Sequence, residues 1–243
     1  MKKILLHGGS SLISKYLIRD LMKDYDEFYI FCRNVEKTKI ILNLDIPTDK
    51  NFFYFENNLE QLDKTLSDID KLPNDLDGII WVTGYTGNPK LELSNLTDLK
   101  YNIELNFTNV VICITQLLKK INYANKSFIC VICSVAGIRG RKKRLYYASA
   151  KAGLINFLSG LRQHLNKKVR VLTVIPGYIS TESFRKLGEK SPSFLITSPK
   201  KASKIIIRGI YKNKEIIFIN SLWRFIMLII KLIPEKIYKR LNF

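Results

Sequence analysis

Acidic side chains are scarce in this sequence. Twenty-one Asp and Glu stand against 40 Lys and Arg, leaving a formal charge of +19 at pH 7 over 243 residues. Such an excess points to an anionic partner: a phosphate-bearing substrate, a nucleic acid or an acidic lipid surface. The bland alternative is a Lys-rich bias spread over solvated faces. Cysteine is scarce too. Cys32, Cys113, Cys130 and Cys133 sit inside apolar runs and lack metal-ligand spacing, so neither a disulfide framework nor a metal site is expected. Cys130 and Cys133 form a C-x-x-C within one expected strand, where they would face opposite ways. No run approaches the roughly 18 apolar residues of a membrane-spanning helix. The nearest, Leu222 to Ile233, is broken by Arg224 and Lys231. The apolar stretch behind Lys2-Lys3 is too short for a signal peptide and reads as a buried strand. There is no internal repeat and no low-complexity linker.

What is present is a chain with 47% hydrophobic and 11% aromatic residues, enough to build a core. Apolar strand-like runs are expected near 3–7, 27–32, 51–55, 77–83, 127–133, 169–175 and 215–219. Amphipathic helices fit near 12–23, 35–43, 60–70, 98–121, 146–166 and 199–212, the last opened by Ser198-Pro199. Strand–helix alternation at this spacing predicts a doubly wound parallel sheet with helices on both faces. Residues 1–219 read as one α/β domain, with 220–243 an apolar and basic helical extension. Residues 178–197 lack periodicity and read as a mobile loop over a substrate.

Tyr147-Ala-Ser-Ala-Lys151 carries the chemistry. On a helix these two side chains share a face. A cation beside the phenol favours its ionised form, as a general acid/base requires. Ser134 lies thirteen residues upstream, at the end of the apolar run Phe128–Cys133. The first expected strand runs into Gly8-Gly9-Ser10-Ser11-Leu12-Ile13-Ser14 and then a helix, an arrangement that presents backbone N–H groups to a pyrophosphate.

Taken in order, these residues resemble the short-chain dehydrogenase/reductase family over residues 1 to about 219. The family's first turn reads Thr-Gly-x-x-x-Gly-x-Gly. Here His7 begins it, Gly8 keeps the first glycine, and Leu12 and Ser14 replace the other two. Trp81-Val82-Thr83-Gly84 stands for Asn-Asn-Ala-Gly, and Asn58-Leu59 for the Asp-Leu near the adenine. Asn106, Ser134, Tyr147 and Lys151 match the catalytic tetrad. Pro176-Gly177-Tyr178-Ile179-Ser180-Thr181 matches the loop that contacts the carboxamide. The resemblance implies cofactor contacts from Gly8, Ser10, Ser11, Leu12, Ile13, Arg33, Asn58, Leu59, Thr83, Gly84, Tyr147, Lys151, Pro176, Gly177, Ile179 and Thr181. It further implies that Ser134 and Tyr147 bind a substrate carbonyl, that Lys151 holds the nicotinamide ribose, and that Asn106 supports a water relay. Arg33 ends the second strand with no acid beside it, which favours NADP(H) over NAD(H).

Two stretches depart from a plain family member. Arg139-Gly140-Arg141-Lys142-Lys143-Arg144 places five cations between Ser134 and Tyr147, where they would attract a phosphate at the cleft rim or simply be solvated. From Pro199 onward, eleven Lys and Arg face two Glu around an apolar run containing Trp223. That suits contact with an anionic membrane surface, a core helix or an interface between copies. The tail, together with the degenerate glycine turn at Leu12 and Ser14, resembles the branch holding the reductase partner of decaprenylphosphoryl-ribose epimerase and related polysaccharide-locus reductases. An NADPH-dependent ketoreductase for a phosphorylated or polyprenyl-phosphate-linked sugar is then expected, at the inner face of the cytoplasmic membrane and homo-oligomeric. Reduction of a 3-keto acyl or long-chain lipid ketone is the enzymatic alternative, and a dinucleotide-binding regulatory protein the non-enzymatic one. Nucleic acid is not an expected partner, since no aromatic interleaving accompanies the charge.

Overall fold

Apolar strands and amphipathic helices alternate along the chain and assemble into one parallel sheet. The computed structural model describes residues 1–241 apart from 45, 88–92, 125, 187 and 189–190. The strands are β1 (Lys3–His7), β2 (Glu27–Cys32), β3 (Asn51–Glu56), β4 (Gly78–Trp81), β5 (Phe128–Ile132), β6 (Arg170–Ile175), the short β7 (Tyr178–Ile179) and β8 (Ile196–Thr197), and β9 (Ile216–Phe218). The main sheet runs β3-β2-β1-β4-β5-β6-β9, parallel throughout, with β7 and β8 paired separately. The helices are α1 (Leu12–Leu21), α2 (Val35–Leu42), α3 (Leu62–Asp70), α4 (Leu96–Ile103), α5 (Asn109–Leu117), α6 (Leu145–Leu165), α7 (Glu182–Lys186), α8 (Pro199–Tyr211), α9 (Ser221–Leu232) and α10 (Glu235–Tyr238).

Successive strand residues face opposite ways, and both faces are apolar because both are covered. Leu5, Phe31, Ile79, Trp81 and Val131 pack with α5 and α6 on one side. Leu6, Ile30, Ile80, Cys130 and Val174 pack with α1 and α8 on the other. Cys130 and Cys133 fall in these opposite clusters as buried free thiols, and burial pushes both upward from the usual thiol range. A third, smaller cluster joins Val135 and Ile175 to Trp223 and Met227 of α9.

The strand order reverses between β1 and β4, so their carboxyl ends open a crevice where such sheets take ligands. The expected helix near 98–121 is interrupted by a π-helical turn, Glu104–Thr108, between α4 and α5. Single π turns recur at functional sites, and this one carries Asn106. The segment 178–197 contains β7, α7 and β8; its residues 187 and 189–190 lie outside the described residues.

Candidate active site

The first turn is built around Gly8, whose φ of 98° suits glycine and whose missing Cβ would lie 2.7 Å from Thr83 Oγ1. Gly8 and Gly9 both donate to the Phe31 carbonyl, drawing the turn across to β2. Ser11 caps α1 by accepting from the Ile13 N–H at 3.1 Å. Ser14, at the family's third glycine position, is buried and donates to the Gly8 carbonyl at 2.8 Å. Leu12 is exposed at the start of α1, beside this turn.

The departures from the family pattern at His7, Trp81 and Thr83 touch one another. The His7 ring stacks on Trp81 with centroids 3.8 Å apart, and its Nδ1 shares a hydrogen bond with Thr83 Oγ1 at 2.5 Å. Burial pushes His7 down to about 3, so its imidazole is neutral at ordinary pH. One aromatic–hydroxyl set thus ties β1 to β4 directly beneath the crevice.

Arg33 is exposed immediately after β2, and Asn34 caps α2 by accepting from the Lys37 N–H at 2.7 Å. Asn58 is half-buried after β3 and accepts from the Glu60 N–H, while Leu59 is buried and its carbonyl accepts from Asn109. The residues present therefore fit a dinucleotide: a helix N-terminus, a polar group after β3, and a cation with no acid at the end of β2.

On α6, Lys151 is 3% exposed, and its Nζ lies 5.8 Å from the Tyr147 ring centre. A buried ammonium needs polar partners, and Nζ donates to the Ile132 carbonyl at 3.3 Å. Across Gly84 it faces Asn106: a Cβ on that glycine would sit 3.3 Å from Lys151 Nζ and 3.2 Å from Asn106 Oδ1. Asn106 is wholly buried, and both ends of its amide are hydrogen-bonded. It donates to the Tyr85 and Asn102 carbonyls at 2.7 and 3.1 Å and accepts from the Tyr85 N–H at 3.0 Å. Its side chain is therefore a positioning group that holds the strand-four loop beside Lys151.

Ser134 accepts from the Ala136 N–H at 3.1 Å, and its O–H remains a donor. The turn it caps packs onto α6 through Gly137, whose Cβ would lie 2.7 Å from the Lys151 carbonyl carbon. Any larger residue would separate Ser134 from the Tyr147/Lys151 helix. Val135 N–H donates to the Pro176 carbonyl at 3.0 Å, bringing in the Pro-Gly loop. Thr181 in that loop accepts from the Phe184 N–H and caps α7.

The C-terminal helix forms a wall of this region, which no family motif foretold. Trp223 lies over Gly177, where any Cβ would clash with the indole, and donates to the Leu195 carbonyl at 3.1 Å. Tyr178 meets the same indole edge-on. Arg139, in the loop expected to attract a phosphate or be solvated, reaches α9: its guanidinium donates to the Ile230, Lys231 and Ile233 carbonyls and pairs with Glu235 at 2.9 Å. It also stacks on Tyr238 at 3.9 Å. Arg144 is buried, with left-handed φ, its guanidinium 6.0 Å from the Tyr147 ring centre. Of the five cations, Lys142 and Lys143 are exposed and Arg141 half-buried.

The sequence profile of the short chain dehydrogenase family matches residues 2–192. The chain belongs to that family of oxidoreductases. Among its relatives, an uncharacterised oxidoreductase of Mycobacterium tuberculosis is 29% identical over 140 residues, which span 57% of this chain and about half (55%) of that protein. A 3-oxoacyl-[acyl-carrier-protein] reductase of Bos taurus is 24% identical, covering 75% of this chain and 78% of the relative. In fold, the chain superposes on a short chain dehydrogenase from Burkholderia cenocepacia in complex with NADP, with TM-score 0.78, 16% identity and coverage of 99% and 98%. It likewise matches a Brucella melitensis 3-oxoacyl-[acyl-carrier protein] reductase in complex with NAD, with TM-score 0.73, 17% identity and coverage of 90% and 95%.

Proposed function

We propose that this chain is an NADP(H)-dependent ketoreductase whose ketone is carried on a phosphorylated or polyprenyl-phosphate-linked sugar, at the inner face of the cytoplasmic membrane. The observation that carries the catalytic reading is the convergence of Lys151 and Asn106 on Gly84, with the Ser134 turn pressed onto the α6 backbone at Lys151. A bound nicotinamide supplies the hydride. The Ser134 hydroxyl donates to the carbonyl oxygen, where negative charge develops, and Tyr147 delivers its proton there. Lys151 holds positive charge one helical turn away, stabilising the phenolate left behind. Gly137 and Asn106 act by position, fixing the two loops against that helix.

The exposed Arg33, with no acid at its strand end, supports NADP(H). The exposed Lys142 and Lys143, between Ser134 and Tyr147, support an anionic substrate. In this reading the chain sits with the reductase partners of decaprenylphosphoryl-ribose epimerase. A second reading, reduction of a 3-oxoacyl thioester, is favoured by the names of the bovine and Synechocystis relatives, the latter 34% identical over 132 residues.

Fluorescence titration should give tighter binding of NADPH than of NADH, and Tyr147→Phe should keep that binding while turnover falls about 100-fold or more. Failure to bind either nucleotide sinks the catalytic reading. Faster NADPH oxidation with a 3-oxoacyl thioester than with a keto-sugar polyprenyl phosphate would replace the first substrate by the second.

A further inference from the structure

The helix α9 carries two apolar stripes, and only one is used inside the protein. Trp223, Ile226, Met227 and Ile230 recur at helical spacing and pack into the third cluster. On the opposite side Leu222, Phe225, Leu228, Ile229 and Leu232 stand 45%, 63%, 57%, 64% and 74% exposed. Five large apolar side chains on one exposed helix face form a patch of the kind that marks an interaction surface. Between the stripes lie Arg224 and Lys231, seven residues apart and both exposed. Lys236, Lys239 and Arg240 follow within the next turns, exposed as well. The one acid of this segment, Glu235, is paired with Arg139. No helix among the described residues is long and apolar enough to cross a membrane.

We propose that α9 lies flat in the interface of an anionic bilayer, with Phe225, Leu228 and Ile229 entering the acyl boundary and Arg224 and Lys231 reaching the lipid phosphates. Charge decides between occupants. A second copy of this chain would bring the same cations against these, whereas an anionic lipid surface is complementary to them. Long basic side chains flanking an apolar stripe are what an interfacial helix uses, their stems lying along apolar surface and their heads in the phosphate layer. The opposite face of the same helix rests on the Pro-Gly loop through Trp223 and on the Ser134–Tyr147 loop through Arg139. Membrane contact would therefore set the cleft directly above the bilayer surface.

The test needs neither substrate nor nucleotide, so it stands apart from the catalytic reading. Full-length protein is sedimented with phosphatidylcholine vesicles, with and without phosphatidylglycerol. Binding is expected only to the anionic vesicles. The variant Arg224→Gln/Lys231→Gln should weaken it about tenfold or more, and Phe225→Glu/Leu228→Glu should abolish it. These side chains point to solvent, so NADPH titration and circular dichroism of the variants should match the parent. Equal sedimentation of the glutamate variant and the parent overturns the proposal, as does an absence of vesicle binding. If the parent is a dimer that the glutamate variant dissociates, with no vesicle binding by either, the face belongs to a contact between copies and the proposal is wrong.

Discussion

His7 shows how a departure from a motif is absorbed by its neighbours. The ring is neutral because it is buried between Phe31 and Trp81, and its Nδ1 is engaged with Thr83. Its folded value of about 3 lies below the ordinary 6.5. The unfolded chain therefore binds more protons between those limits, and the stability tied to His7 is full above pH 6.5 and is lost as pH falls toward 3. The slope is about 1.4 kcal/mol per pH unit. Urea unfolding at pH 6.5 and pH 5 should show the parent losing about 2 kcal/mol more than His7→Gln, which carries no titrating ring. Equal losses would mean that His7 is already charged in the fold. The Tyr147/Lys151 pairing was legible in the sequence because it is a local spacing on one helix. Gly137 and Asn106 show what was not: one matters for which backbone crosses it, the other for which loop its amide holds. Both are contacts between distant segments that no spacing encodes.

At the scale of elements, strand and helix positions followed the apolar periodicity closely, since the inner strands β1, β2, β4, β5 and β6 are buried on both faces. Periodicity could not foresee the π turn at Glu104–Thr108, because the added residue keeps the helical pattern while shifting its phase. It also read 139–144 as one basic loop, whereas its cations divide between tasks. Arg139 acts as a C-terminal cap, satisfying carbonyls of α9 that helix geometry leaves unpaired. Its planar guanidinium also stacks on Tyr238, whose hydroxyl donates to the Gly140 carbonyl at 2.7 Å. Arg139→Ala should lower the local stability of α9 by about 2 kcal/mol, as charge-assisted hydrogen bonds of this kind contribute. Amide hydrogen exchange across 221–232 measures it. Arg139→Lys should recover less than half, because a point ammonium cannot span the carbonyls and the ring together. Unchanged protection in the alanine variant would show that Trp223 and Met227 alone hold the helix.

For the whole molecule, the three apolar clusters define what α9 does and does not support. Neither of the two clusters that cover the sheet contains a residue of α9. Only the small third cluster does, where Trp223 and Met227 meet Val135 and Ile175 beside the Ser134 turn and the Pro-Gly loop. The first turn, Arg33 and Asn58 lie among β1, β2 and β3, at the other end of the sheet order from β9. Deleting residues 220–243 should thus leave the sheet folded and the adenine end of the nucleotide site intact. It should uncover Val135 and Ile175 and release the loop that Trp223 holds at Gly177 and Leu195. The expected outcome is a lower Tm, NADPH affinity within about threefold of the parent, and turnover reduced about tenfold or more through misplaced catalytic loops. Nucleotide titration and steady-state kinetics on the truncated chain separate these effects. A loss of NADPH binding equal to the loss of turnover would show that residues 1–219 are not a self-sufficient unit and that α9 belongs to the domain's core.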